Sequence, residues 1–503
     1  MDALRNLAAL GLLLTLTVRA AQAQETETLP LFTPVTGTIT SGSSDQWVFA
    51  GADGAMLSFD LEAKSGDLDP ILTITSSAGA LVMSNDDYEY PESQAARLEG
   101  ITLPRTDTYT VTVSGFGATQ GDYELTMQAG FARLSYQDSF EDETRWKADS
   151  DTLQLVFGNH RMALILSDAQ QRAAAIYTGN APWDDQYIHI DVPELTARGT
   201  WRVGLMARVQ DDQAYYLFSL NDQGQWRFSL QTPDGERVLR DWSSHPAIVA
   251  GQTTFSLGLL ANGTGFDFFY NGQLIGRLSD DSLIEPGQVG LMIETGSALD
   301  SELTAQFQNL TITTPGDPIV PQQLLTGNAP VMTQELQRRR LIPADGEMKL
   351  IVPESFVTFN RPGVNILPLG GSETYRTFAL GATLTWEIAT PSLPAGCGLI
   401  LRAAGQDDYL LAYLDQTGGY GLSQRRGSTF EPGIFDQGPE PGSGPHRLLV
   451  IANEDHLLYY VDGQLAGMLD SPAASGTIGN AAVNFESTTT SCQFTDTWVW
   501  SWG

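Results

Sequence analysis

Cysteine is almost missing from this chain. There are two in 503 residues, Cys397 and Cys492, and no Cys-x-x-Cys pair that would suit a redox-active centre. Positive charge is scarce as well. Lys and Arg total 27 against 60 Asp and Glu, and Lys occurs only at 64, 147 and 349. A surface that acidic repels phosphate backbones and anionic headgroups, which makes nucleic acid and membrane surfaces poor partners, and no nucleic acid is expected. Histidine is sparse: His160, His189, His245, His446 and His456 are scattered with no pair at metal-ligand spacing. Beyond the N-terminus no stretch reaches the ~18 apolar residues a membrane helix needs, so membrane insertion is not expected. Helix-periodic stretches are few. There is no Gly-x-Ser-x-Gly elbow, no His-Glu-x-x-His pair and no glycine-rich phosphate loop ending in Lys. No residue therefore presents itself as catalytic.

What the chain does have is glycine, 50 residues of it, and a 42% hydrophobic content. That combination predicts many short strands joined by tight turns, and the length suits about three domains. The N-terminus reads as a signal peptide over residues 1–23. Arg5 supplies positive charge, Leu7 to Val18 an apolar core, and Ala21-Gln22-Ala23 a small-x-small cleavage site. A secreted or periplasmic protein is the expectation. The acidic surplus suits solubility; it also offers hard oxygen ligands for divalent cations.

A first block, residues 26–129, carries half-buried strand patterns such as Gln46-Trp47-Val48-Phe49 and Thr108-Tyr109-Thr110-Val111-Thr112-Val113. The order of its pieces is specific. Asp45-Gln46-Trp47-Val48-Phe49 precedes Leu68-Asp69-Pro70-Ile71-Leu72, then Asn85-Asp86-Asp87, then Tyr109 to Val113, then Gly121-Asp122-Tyr123-Glu124-Leu125. This order resembles the bacterial pre-peptidase C-terminal domain, which implies a small β-sandwich. Arg105-Thr106-Asp107 stands where that family usually has a Gly before its Tyr, a change of turn.

Residues 131–314 and 345–503 look like repeats of each other. Ala261-Asn262 precedes Phe268-Phe269-Tyr270-Asn271-Gly272-Gln273-Leu274, and 191 positions on Ala452-Asn453 precedes Leu458-Tyr459-Tyr460-Val461-Asp462-Gly463-Gln464-Leu465. Gly204 to Arg208 answers Gly398 to Arg402, and Gln306-Phe307 answers Gln493-Phe494. The Asn-Gly and Asp-Gly pairs are hairpin signals because that turn needs positive φ. The pattern, together with Asp138-Ser139-Phe140 and Trp146, resembles laminin-G-like or concanavalin-A-like jelly rolls. The expected fold is thus all-β: three tandem β-sandwiches, one small and two jelly rolls. Jelly-roll glucanases place Glu-x-Asp-x-x-Glu on one strand face, and no Glu here has that spacing. Residues 315–344 read as a Pro-rich linker, opened by Pro315, Pro318 and Pro321 and closed by Arg338-Arg339-Arg340. The basic run is either a protease-sensitive or acid-binding site, or the end of a short solvated helix from Thr333 to Arg340 between domains; the helix is preferred.

Three sites follow. Asn85, Asp86 and Asp87, with Asp67 and Asp69 on a nearby turn, could clamp Ca²⁺, or could simply form a turn, since Asn and Asp bond their own backbone. Trp183, Asp184, Asp185 and Tyr187 form a candidate ligand face: sugars stack on exposed rings while carboxylates take their hydroxyls, although most Trp in such strand patterns fill cores. Cys397 and Cys492 map by the repeat onto Val203 and Ala305, an apolar pair, so a structural disulfide is expected between adjacent strands, stapling the first and last strands of the third domain. The functional expectation is a non-catalytic binding protein for an extracellular glycan or protein. The alternative is an extracellular hydrolase, or its accessory domains.

Overall fold

The computed structural model describes residues 27–91, 93–179, 182–210, 214–316, 329–338, 341–442, 444–472 and 474–503. The signal-peptide segment, Pro318 and Pro321 of the linker, and Arg339-Arg340 lie outside them. The regular secondary structure of the described residues is nearly all strand. Among them no helix is long and apolar enough to cross a membrane.

Period-two alternation builds the first sandwich. Strand Pro70–Ser76 buries every second residue, and Tyr109, Val111 and Val113 of strand Asp107–Gly115 point into the same core. A five-stranded sheet containing these faces a four-stranded sheet centred on Gly121–Ala129 and Met56–Ala63. The Arg105-Thr106-Asp107 turn is anchored by the Tyr109 hydroxyl, which donates to the Arg105 carbonyl at 2.7 Å.

The next two sandwiches each pair two large antiparallel sheets around a separate core. Their likeness extends to strand boundaries. Strands Phe255–Asn262, Gly265–Tyr270 and Gln273–Ser279 of one recur as His446–Asn453, His456–Val461 and Gln464–Asp470 of the other, all 191 positions later. Both hairpin turns have positive φ at both central residues: 49° and 76° at Asn271 and Gly272, 50° and 88° at Asp462 and Gly463. This is the geometry that the Asn-Gly and Asp-Gly pairs favour.

Cys397 and Cys492 are joined, with Cα atoms 5.8 Å apart. They are not on adjacent strands, and while Cys492 is on the last strand, Cys397 is not on the first, Glu347–Phe359. Cys397 lies on strand Ala395–Gly405 in one sheet and Cys492 on Thr490–Ser501 in the other. The bond crosses the core and ties sheet to sheet. Val203 and Ala305 occupy the equivalent opposed sheets of the second sandwich, both fully buried.

The linker ends in a helix, Ala329–Arg338, beginning four residues before the expected Thr333. It is not merely solvated. Ala329, Met332 and Leu336, at helical spacing, bury against Ala379, Leu449, Ile451 and Trp498 on the outside of the third sandwich.

The first sandwich touches both others. Tyr187, Leu260 and Phe269 of the second complete its core, and Phe131, expected to open the second block, is buried there too. Its short strand Glu89–Tyr90 pairs in parallel with Gln464–Asp470, adding a strand to a sheet of the third sandwich. The Met468 N–H donates to the Tyr88 carbonyl across that seam.

Candidate functional site

A cleft of about 970 Å³ opens at one end of the second sandwich. Its floor is aromatic. The ring of Tyr136 lies 4.6 Å from Tyr177 and 5.9 Å from Trp183, and Tyr177 lies 5.5 Å from Trp183. Asp138, almost fully buried, fixes this floor. One of its oxygens accepts from the Tyr136 hydroxyl at 2.6 Å and the Trp146 indole at 2.8 Å; the other accepts the Phe140 N–H at 2.7 Å. Burial and the Asp138 carboxylate together push the Tyr136 phenol far above its ordinary value, so it stays a neutral donor. The rim is polar: Arg133, Ser135, Thr144, Arg145, Thr178 and Asp184.

Three of the four residues expected to face a ligand are here, in altered roles. Trp183 is 7% exposed, a floor residue rather than a free stacking platform, held by paired backbone hydrogen bonds with Gly287. Asp184 is half-exposed at the rim. Asp185 turns inward, where its carboxylate accepts the Gly263 N–H at 2.6 Å. Tyr187 is not part of the cleft. Strand Gln186–Arg198 sends Ile188, Ile190 and Val192 into its own core, so Tyr187 emerges on the opposite face and packs on Phe269 at the first-sandwich junction.

Behind the acids lies Arg208, fully buried. Its guanidinium donates to the carbonyls of Leu283 at 3.0 Å and Gly263 at 2.6 Å, and stands 3.8 Å from Asp184 and 4.0 Å from Asp185. The repeat preserves the arginine but not the acids. Arg402 is equally enclosed, donating to the Arg376 carbonyl at 2.8 Å. The Trp183–Gly287 bridge recurs as Tyr375–Gly476, yet the next residues are Arg376 and Thr377, and Arg376 pairs with Glu454 at 2.6 Å. The aromatic-and-acid end is therefore specific to the second sandwich.

The expected calcium loop is differently arranged. Asn85 is committed on both sides: its carbonyl accepts the Arg97 N–H at 2.9 Å and its amide donates to Asp436 of the third sandwich at 2.8 Å. Asp67 is exposed, and its carboxylate accepts the Gln120 N–H at 3.1 Å. Asp86 accepts the adjacent Asp87 N–H. Asp69, Asp86 and Asp87 influence one another electrostatically. Among the described residues, however, no group of three or more His, Cys, Asp or Glu is placed to hold a metal ion.

Asp436, absent from the sequence expectations, instead joins the acids across the first–third seam; the Tyr420 hydroxyl also donates to it, at 3.2 Å. Burial, reinforced by neighbouring carboxylates, pushes Asp87 and Asp436 up to about 7. The folded protein thus binds more protons than the unfolded chain between roughly pH 4 and 7, and stability falls as pH rises through that window. Melting temperatures from pH 5 to 8 should drop more steeply for the native protein than for an Asp87→Asn, Asp436→Asn double variant. Equal slopes would refute the assignment.

Neither a family model nor a curated protein matches the sequence. Solved structures align over about a third of it. They include a carbohydrate-binding module, CBM66, from Bacillus subtilis at 19% identity, covering 34% of this chain and 96% of that one with a TM-score of 0.28. A galectin-like protein of unknown function from Bacillus subtilis aligns at 10% identity, over 36% and 96%, with a TM-score of 0.28. The catalytic domain of an endo-1,3-β-glucanase (laminarinase) from Thermotoga petrophila aligns at 9% identity, over 37% and 98%, with a TM-score of 0.29. Scores this low carry no argument about the present chain, whose fold rests on its own strand pairing.

Proposed function

We propose that this protein works outside the reducing cytoplasm as a non-catalytic glycan-binding protein, with the cleft of the second sandwich as its sugar site. The single observation behind this reading is the lining of that cleft. Three rings make an apolar floor, and a rim of hydroxyls, arginines and one half-exposed carboxylate surrounds it. Sugars have this character, with apolar ring faces and hydroxyl edges, and aromatic side chains recognise the faces. The disulfide fits an oxidising compartment. The first sandwich, for which we retain the pre-peptidase C-terminal resemblance, would serve as a mount for the two jelly rolls.

Calorimetric titration against a panel of oligosaccharides tests the proposal. Tyr136→Ala should weaken the best ligand at least tenfold, and Asp184→Asn, whose folding circular dichroism checks because Asp184 faces the buried Arg208, should weaken it severalfold. No reducing ends should accumulate on prolonged incubation. Unchanged affinity in both variants would remove the cleft from the function, and steady release of reducing ends would favour a hydrolase.

A further inference from the structure

The cleft is lined by charges of both signs, and their partners point to the class of sugar. Its acids are already balanced. Asp185 is held by the Gly263 N–H, and both Asp185 and Asp184 face the enclosed Arg208 guanidinium. Its two arginines lie on other elements. Arg133 comes from strand Arg133–Asp138 and Arg145 from the short helical turn Glu143–Arg145. Arg133 is exposed and Arg145 about half-exposed. Arg133 donates to the neutral Gly316 carbonyl at 3.3 Å, which leaves its charge uncompensated by that contact. Arg145 shares its charge with Asp142 at 3.0 Å, and its guanidinium sits 6.0 Å from the centre of the Tyr136 ring, over the cleft floor. A ring bound in the cleft would therefore meet carboxylates that already face a guanidinium and, in Arg133, a guanidinium whose partner is a neutral carbonyl.

From this placement, and resting on the reading of the cleft as a glycan site, we infer that the preferred ligand is an acidic sugar, a hexuronate unit. Its hydroxyls face Asp184 and its carboxylate is taken by Arg133 and Arg145. A guanidinium fork matches a carboxylate in shape and charge, where a neutral hydroxymethyl group would leave Arg133 with only its neutral carbonyl partner. The chain's net charge of −33 does not oppose this at short range. At physiological ionic strength charges are screened beyond about 8 Å, so a bound carboxylate responds to the two arginines more than to the distant acidic surface.

The test uses the full-length protein and three probes: an oligogalacturonate, its methyl ester, and a neutral gluco-oligosaccharide of the same length. The ester keeps the ring and removes the charge. The acid should bind at least tenfold more tightly than the ester, and in an Arg133→Gln, Arg145→Gln variant the two should bind alike. Circular dichroism of the variant, whose substitutions are exposed, checks that it folds. Equal binding of acid and ester to the native protein overturns the inference and leaves the glycan reading standing. So does binding of the neutral probe alone, or an advantage of the acid that survives in the variant. Binding of none of the probes while other sugars of the panel bind also overturns it. Failure of every sugar in the panel overturns the glycan reading itself.

Discussion

Replacing Cys397 by Val and Cys492 by Ala should leave the third sandwich folded but less stable by about 3–5 kcal/mol. The replacements copy Val203 and Ala305, which fill the same opposed positions in the second sandwich. The bond spans 95 residues of sequence, and freeing that loop in the unfolded chain is worth roughly 4–5 kcal/mol by chain-entropy reasoning. New side-chain packing returns part of it. Urea unfolding followed by hydrogen exchange in strand Ala395–Gly405 would measure the loss. A change below about 1 kcal/mol would mean that sheet packing alone holds this domain, and two free thiols in the untreated native protein would remove the bond altogether.

Arg208→Met should be comparably damaging, by about 3–5 kcal/mol, and should also abolish ligand binding. Methionine matches the length of the stem but supplies no donors. It would leave the Leu283 and Gly263 carbonyls short of partners and remove the positive charge behind Asp184 and Asp185. Removing one side of a buried charged network costs far more than the network is worth, because the groups left behind stay desolvated. Arg402→Met should destabilise the third sandwich by a similar mechanism, through the Arg376 carbonyl, but leave sugar binding intact. The contrast between the two variants separates a purely structural arginine from one that also positions acids. If Arg208→Met folds as stably as the native protein, the guanidinium is not the centre of that end of the sandwich.

Much of the architecture was legible in the sequence because it depends on local chemistry. Alternation in Pro70–Ser76, and the Asn271-Gly272 and Asp462-Gly463 turns, each require only neighbours along the chain. The cysteine pair was legible for another reason: the repeat supplied two aligned positions, so a coordinated exchange with Val203 and Ala305 stood out. What alignment could not supply was which sheets those positions occupy, and the expected adjacent strands proved to be opposed ones. The ligand face was half-legible. Asp184 and Asp185 marked Trp183 as unusual, but their acidity balances Arg208, which is distant in sequence and hidden in space. Tyr187 was misplaced because alternation says which residues leave the core, not whether another domain covers them. Asn85 was read as a ligand because nothing near it announces Asp436.

The seam formed by Glu89–Tyr90 and Gln464–Asp470 has a consequence in time as well as in space. These segments are separated by most of the chain. At ordinary synthesis speeds of about 5–20 residues per second, the roughly 370 residues between them take from about 20 seconds to over a minute to make. Throughout that interval the first sandwich must wait with an unpaired edge and with the carboxylates near Asn85 lacking their distant neighbour. Such an edge is a hazard for pairing with the wrong chain. Its brevity, two residues with a charged Glu89 and Pro91 immediately after, keeps the waiting edge from being an attractive template for strangers.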